Sequence, residues 1–184
     1  MYIRVHEILA GSRANGPGIR NVVWFQGCTL SCPGCFNLLT HDPEGGKLIS
    51  IDELCGQLLG PDAPCDGITV SGGEPFQQPE GLCALLKCLR ERNAPTVLVF
   101  SGYTYAQLLN DPARRVCLPF MDALICGPYD KSFPPAYDRF CSSANQELHI
   151  LSDRLKEEDF IDLPLSEIIV DKTGKAVVSG IMHL

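Results

Sequence analysis

Residues 19–37 read Ile19-Arg20-Asn21-Val22-Val23-Trp24-Phe25-Gln26-Gly27-Cys28-Thr29-Leu30-Ser31-Cys32-Pro33-Gly34-Cys35-Phe36-Asn37. Ile19 to Gln26 is rich in β-branched and aromatic residues and predicts a strand that stops at Gly27. Cys28, Cys32 and Cys35 follow at once, C-x₃-C-x₂-C in one short loop. Three thiolates can converge there on one point, with no fourth cysteine close by. A structural metal site normally closes its sphere with four ligands, whereas a site that must touch a substrate keeps one position open. Two readings follow. His41 or a distant cysteine completes a zinc site, or three cysteines hold a [4Fe–4S] cube with one iron free.

Outward from this loop, apolar runs alternate with helical patterns, the signature of βαβ units and a mainly parallel sheet. Ser50 with Glu53 three residues later opens a short helix over Ile51 to Leu59. Gly67 to Ser71 is a strand stopped by Gly72-Gly73. Pro79 starts a helix to about Asn93, with Leu82, Leu85, Leu86 and Leu89 on one apolar face. Thr96 to Phe100 has the unbroken apolar character of a strand buried on both faces. Met121 to Cys126 and Glu147 to Leu151 read as further strands. Ile168 to Val170 and Lys175 to Ser179 flank a turn at Asp171-Lys172-Thr173-Gly174, which predicts a terminal hairpin.

The fold class is therefore α/β, with about five to six mainly parallel strands. A closed eight-stranded barrel needs about 250 residues, so 184 residues predict an open, partial βα barrel with a lateral gap. We expect one domain over residues 1–184, a core at about 15–151 and a C-terminal extension at 152–184. A hydrophobic share of 45% suffices for a core, and neither a membrane span nor a signal peptide is expected. The net charge of −7, without any basic block, argues against nucleic acid as a partner. These traits point to the cytoplasm. Cys55, Cys65, Cys83, Cys88, Cys117, Cys126 and Cys141 share no spacing and read as small core hydrophobes.

In βα architectures, sites gather at the C-terminal strand ends. Here those ends carry Gly27-Cys28, Gly72-Gly73-Glu74-Pro75, Ser101-Gly102-Tyr103-Thr104 and Gly127-Pro128. With Asn15-Gly16-Pro17-Gly18-Ile19-Arg20 before the first of these strands and Asn145-Gln146 after the last, the set resembles the radical S-adenosylmethionine (SAM) superfamily. Within it, the small activases of glycyl-radical enzymes are the nearest match, in particular those of the anaerobic ribonucleotide reductase. The resemblance spans about Asn15 to Leu151.

The resemblance implies that Cys28, Cys32 and Cys35 ligate a [4Fe–4S] cluster whose open iron is chelated by SAM. It assigns the SAM amino group to backbone at Gly72, Gly73 and Glu74, and the adenine to Gly34 and Phe36. Ser101 and Asn145 are its candidates for the carboxylate and ribose. The cofactors do the chemistry, so no catalytic side chain is expected. A donor such as reduced flavodoxin supplies an electron, SAM is cleaved to a 5′-deoxyadenosyl radical, and a glycine of a partner enzyme loses hydrogen. Glu74 is expected to act structurally, and Arg20 to be an ion-pair partner.

Some positions depart from the pattern. Cys126 stands where such activases carry an aspartate, and Cys141-Ser142-Ser143-Ala144 replaces a glycine and two serines. Two other functions stay open on this reading, a tailoring enzyme for a peptide or small molecule and a non-catalytic iron–sulfur electron carrier.

Overall fold

The computed structural model describes residues 1–61, 64–135, 140–170, 174 and 176–181. Strands β1 (Tyr2–Ser12), β2 (Arg20–Phe25), β3 (Lys47–Ser50), β4 (Gly67–Gly72), β5 (Val97–Ser101), β6 (Ala123–Cys126) and β7 (Glu147–Ile150) form one sheet. Their order is β3-β1-β2-β4-β5-β6-β7. The β2, β4, β5 and β6 strands run parallel, joined through α1 (Ile51–Leu58), α2 (Pro79–Glu91), α3 (Tyr105–Asn110) and α4 (Pro112–Arg115). This is the expected α/β open, partial βα barrel. The expected terminal hairpin is also present, as β8 (Ser166–Val170) paired antiparallel with β9 (Ala176–Gly180). Of its turn, residues 171–173 lie outside the described residues, as do Lys175 and His183.

The strand count differs in composition from the expectation. β1, β3 and β7 pair antiparallel, flanking the four parallel strands. β1 and β3 fall in stretches for which no strand was expected. β7 turns back on β6 because the intervening segment has no helix among its described residues, and a parallel return needs a long crossover.

Local chemistry explains the helices. The Ser50 side chain caps α1 by accepting from the Glu53 N–H at 3.2 Å, and Pro79 opens α2 where its missing N–H costs nothing. Leu82, Leu85, Leu86 and Leu89 are fully buried against the sheet. At about 1.5–3 kcal/mol per buried side chain, this stripe dominates the helix's attachment. Alternation along β5 then serves both faces: Val97 and Val99 join the helix-side core, while Leu98 and Phe100 join a second core with Phe140, Phe160 and Ile181. Cys55, Cys83, Cys117 and Cys141 are buried, and desolvation pushes the Cys55 and Cys117 thiols up to about 12, so both stay neutral.

Arg20 corrects one expectation. It is fully buried and forms no ion pair among the described residues. Its guanidinium donates instead to Thr69 Oγ1 at 2.6 Å, the Ile68 carbonyl at 2.6 Å, the Pro17 carbonyl at 3.0 Å and Thr96 Oγ1 at 3.1 Å. Thr69 Oγ1 in turn donates to the Asn15 carbonyl at 2.7 Å. One cation thus ties the Asn15–Gly18 turn to the starts of β2, β4 and β5. Burial pulls its pKa down to about 10, which leaves it charged at neutral pH.

Candidate functional site

The site begins where β2 runs out. After Phe25 the chain leaves the sheet, and the Gly27 and Cys28 N–H groups donate to the Thr40 and His41 carbonyls at 2.7 and 3.1 Å. The cysteine loop therefore starts and returns at one place. Two side-chain contacts pin it. Gln77 accepts from the Thr29 N–H at 3.1 Å and donates to Thr29 Oγ1 at 2.8 Å, and Asn37 Nδ2 donates to the Gly72 carbonyl at 3.3 Å. The loop is locked to the end of β4 at both sides.

The second strand end meets it. Gly73 and Glu74 donate their N–H groups to the Phe25 and Gly27 carbonyls, both at 2.9 Å. A side chain is excluded here: a Cβ on Gly72 would strike the Phe25 backbone, and one on Gly73 would strike the Gly27 carbonyl. Because these N–H groups are committed, what this segment offers a ligand is carbonyl oxygen, the acceptor an ammonium group needs.

Glu74 is fully buried, and its carboxylate draws three donors together. These are the Phe76 N–H at 2.9 Å, Ser101 Oγ at 3.0 Å and the Gly102 N–H at 2.7 Å. Burial is the largest influence and raises its pKa from 4.5 to about 7, against the lowering effect of those hydrogen bonds. Its place is that of a strap between the ends of β4 and β5, as the sequence led us to expect.

Cys28, Cys32 and Cys35 are half-buried and line one cavity together with Gly72, Gly73 and Glu74. Desolvation raises the free Cys28 and Cys35 thiols above the ordinary 9.0. Phe36 and Ser101 also line the cavity. Ser101 Oγ is engaged, donating to Glu74 and accepting from the Tyr103 N–H at 3.1 Å. Gly34 lies under the Lys131 side chain and is absent from the cavity lining. Asn145 is not brought to the cavity either: its amide donates to the Pro128 carbonyl at 2.8 Å. Its neighbour Gln146 takes that place, accepting from the Ser142 and Ser143 N–H groups at 3.0 and 3.2 Å. Sequence reasoning also missed Tyr129, whose ring meets Phe36 edge-on at 5.5 Å across the cavity, and Trp24. Tyr129 follows Gly127-Pro128 directly, which was the available signal.

A 4Fe-4S single cluster domain matches residues 14–149. The chain belongs to this 4Fe–4S family. A pyruvate formate-lyase-activating enzyme of Clostridium pasteurianum is 42% identical over 106 residues, covering 55% of this chain and 44% of that enzyme. An anaerobic ribonucleoside-triphosphate reductase-activating protein of Pasteurella multocida is 32% identical over 146 residues, covering 73% of this chain and 89% of the relative. Its Vibrio cholerae counterpart is 29% identical over 151 residues, with 78% and 96% covered. The chain thus spans less than half of the formate-lyase type and nearly the whole reductase type.

The donors present fit the family's cluster. Three half-buried thiols of one loop, beside a cavity, suit a cluster that keeps one position open to a ligand. The cavity beside the thiols, lined by Gly72, Gly73 and the rings of Trp24, Phe36, Phe100 and Tyr129, suits a chelating cofactor with a flat base. No described helix is long and apolar enough to cross a membrane.

Proposed function

We propose that the protein is a radical SAM activase that takes a hydrogen atom from a backbone glycine of a glycyl-radical enzyme, of the anaerobic ribonucleotide reductase type. The observation that carries this reading is a coincidence of two extents. The similarity runs over 89% of a reductase-activating protein, and Cys28, Cys32 and Cys35 line one cavity with Gly72, Gly73 and Glu74.

Cys28, Cys32 and Cys35 would hold the cluster, and the carbonyls of Gly72, Gly73 and Glu74 would accept from the SAM amino group. Gly34 and Phe36 are assigned to the adenine, with Tyr129 bracing Phe36. Ser101 and Asn145 are the candidates for the carboxylate and ribose, and Gln146 now joins them from inside the cavity. When bound, the cluster and SAM supply one-electron cleavage of the sulfonium and the abstracting group. The chain's own work is to orient SAM by backbone and to wall off water with Trp24, Phe36, Phe100 and Tyr129. We read residues 1–184 as one domain, a reading supported by the hydrogen bonds of Glu167 in β8 and Ser179 in β9 to the Ser12–Asn15 segment. A reduced donor such as flavodoxin and ten free thiols suit a cytoplasmic setting.

Reduced protein, SAM and an anaerobic ribonucleotide reductase from the same genome should give a glycyl-radical EPR signal. Robust SAM cleavage with no such signal on any glycyl-radical enzyme of that genome sinks the reading. One observation favours a second substrate class. Gly180 and Ile181, beyond the matched domain, help wall the cavity, as a tailoring enzyme with its own peptide or small-molecule substrate would require. Absence of any spectral change on adding SAM would instead leave an electron carrier.

A further inference from the structure

The β6–β7 pair carries a second group of ligating side chains, apart from the thiol loop. Cys126 ends β6, Glu147 is its cross-strand partner on β7, and His149 lies two residues farther on. Alternation along a strand puts all three on one face. One ligand atom from each lies within 4.8 Å of the others, and His149 Nε2 is 3.0 Å from Glu147 Oε2. Tyr105, the first residue of α3, stacks on the His149 ring at 4.0 Å between centroids and 18° between planes. That contact fixes the imidazole plane. Cys126 packs in the helix-side core, whereas Phe100 and Ile181 of the other core line the thiol-loop cavity. The two groups therefore serve different faces of the sheet.

We propose that Cys126, Glu147 and His149 form a site for a divalent cation of borderline softness, Zn²⁺ by the character of its donors. Thiolate, imidazole and carboxylate are the three zinc ligand types, bound at about 2.3, 2.0 and 2.1 Å. Ligand atoms around a tetrahedral ion at such lengths stand roughly 3.3–3.6 Å apart, so the observed group needs only a small side-chain contraction. Glu147 is exposed and His149 half-buried, so the fourth position faces solvent. A dication held by all three would offset the repulsion between the Cys126 thiolate and the Glu147 carboxylate. On binding, the Cys126 S–H bond breaks, its proton goes to solvent, a sulfur–metal bond forms, and no electron is transferred. The ion would clip the short edge strand β7 to β6, just before the Gly127-Pro128-Tyr129 rim. This assignment is independent of the activase reading.

The test uses anaerobically prepared, cluster-loaded protein, incubated with Zn²⁺, desalted and assayed for zinc and iron by mass spectrometry. Stoichiometric zinc should accompany the iron. His149→Gln, a rim substitution that leaves the core intact, should lose the zinc and keep the iron, and Cys126→Ser should do the same. Co²⁺ added to a Cys28→Ala, Cys32→Ala, Cys35→Ala chain should show a thiolate-to-cobalt charge-transfer band and intense tetrahedral d–d bands. Both should vanish when Cys126→Ser is added. Zinc retained equally by His149→Gln, no zinc in the parent protein, or a cobalt spectrum without thiolate character overturns the proposal.

Discussion

The parallel sheet is knotted at both ends by a single buried ionisable side chain, a base at one end and an acid at the other. At the N-terminal end the Arg20 guanidinium donates to hydroxyls and carbonyls of β4, of Thr96 just before β5 and of the Pro17 turn. At the C-terminal end the Glu74 carboxylate accepts from two backbone N–H groups and the Ser101 hydroxyl. Both are fully buried. The surroundings differ: Arg20 is enclosed by turn and strand starts, whereas Glu74 borders the cavity that holds the three thiols. In βα folds the first end carries stability and the second carries chemistry. Here one strap closes its end of the sheet, and the other stands beside a cavity lined by Gly72 and Gly73.

The largest expected effect falls on the chemical end. Cys28→Ala, Cys32→Ala or Cys35→Ala should abolish iron and sulfide incorporation and SAM cleavage. The thermal midpoint of the metal-free chain should move by less than about 4 °C. A large loss of stability there would break the division between the two ends. Arg20→Met should behave in the opposite way, destabilising the fold by roughly 3–5 kcal/mol in urea unfolding, because several buried polar groups lose their partner. Where it still folds, at low temperature, it should load its cluster normally.

Glu74→Gln comes next, at about 1–3 kcal/mol, since the new amide cannot accept from the Gly102 N–H. Its pH dependence sharpens the comparison. The folded state keeps the Glu74 proton up to about 7, whereas an ordinary glutamate releases it near 4.5. Stability contributed by this group is thus present below 4.5 and is lost as pH rises toward 7. The cost of Glu74→Gln should be greatest at the acid end of that window and shrink across it, as paired urea titrations of both proteins would show. A cost that grows with pH contradicts the assigned direction.

The smallest effect concerns the extension. The Glu167 side chain accepts from Ser12 Oγ and from the Arg13 N–H at 3.1 Å, and Asn15 Nδ2 donates to Ser12 Oγ and Ser179 Oγ, both at 2.7 Å. Glu167→Gln should cost about 1 kcal/mol or less, yet speed hydrogen exchange across β8 and β9 relative to the sheet.

Much of this was legible because local chemistry and final position agree. The C-x₃-C-x₂-C loop, the Gly-Gly-Glu-Pro strand end, the Ser50 cap and the leucine stripe of α2 depend on residues adjacent in sequence. What escaped depended on distance along the chain. β3 has only four residues, and β1 mixes its alternation with a glycine at residue 11. The direction of β7 is set by a connection, not by its own residues. Arg20 read as an ion-pair partner because all its acceptors but the Pro17 carbonyl lie 48 to 76 residues away. Asn145 and Gln146 differ by one position in the turn before β7, and there the Asn145 amide is held by the Pro128 carbonyl while Gln146 lines the cavity.

The two outermost strands of the large sheet have a further consequence. β3 and β7 are each only four residues long, and they present Lys47 on one edge and Glu147 with His149 on the other. Open edges are where sheets from separate molecules zip together, and brevity with charge is what discourages it. The parallel strands, the slowest to assemble and the most adhesive while unpaired, are thus fenced on both sides during biosynthesis. Extending either border with uncharged β-branched residues would remove the fence and turn a rim into a seam for aggregation.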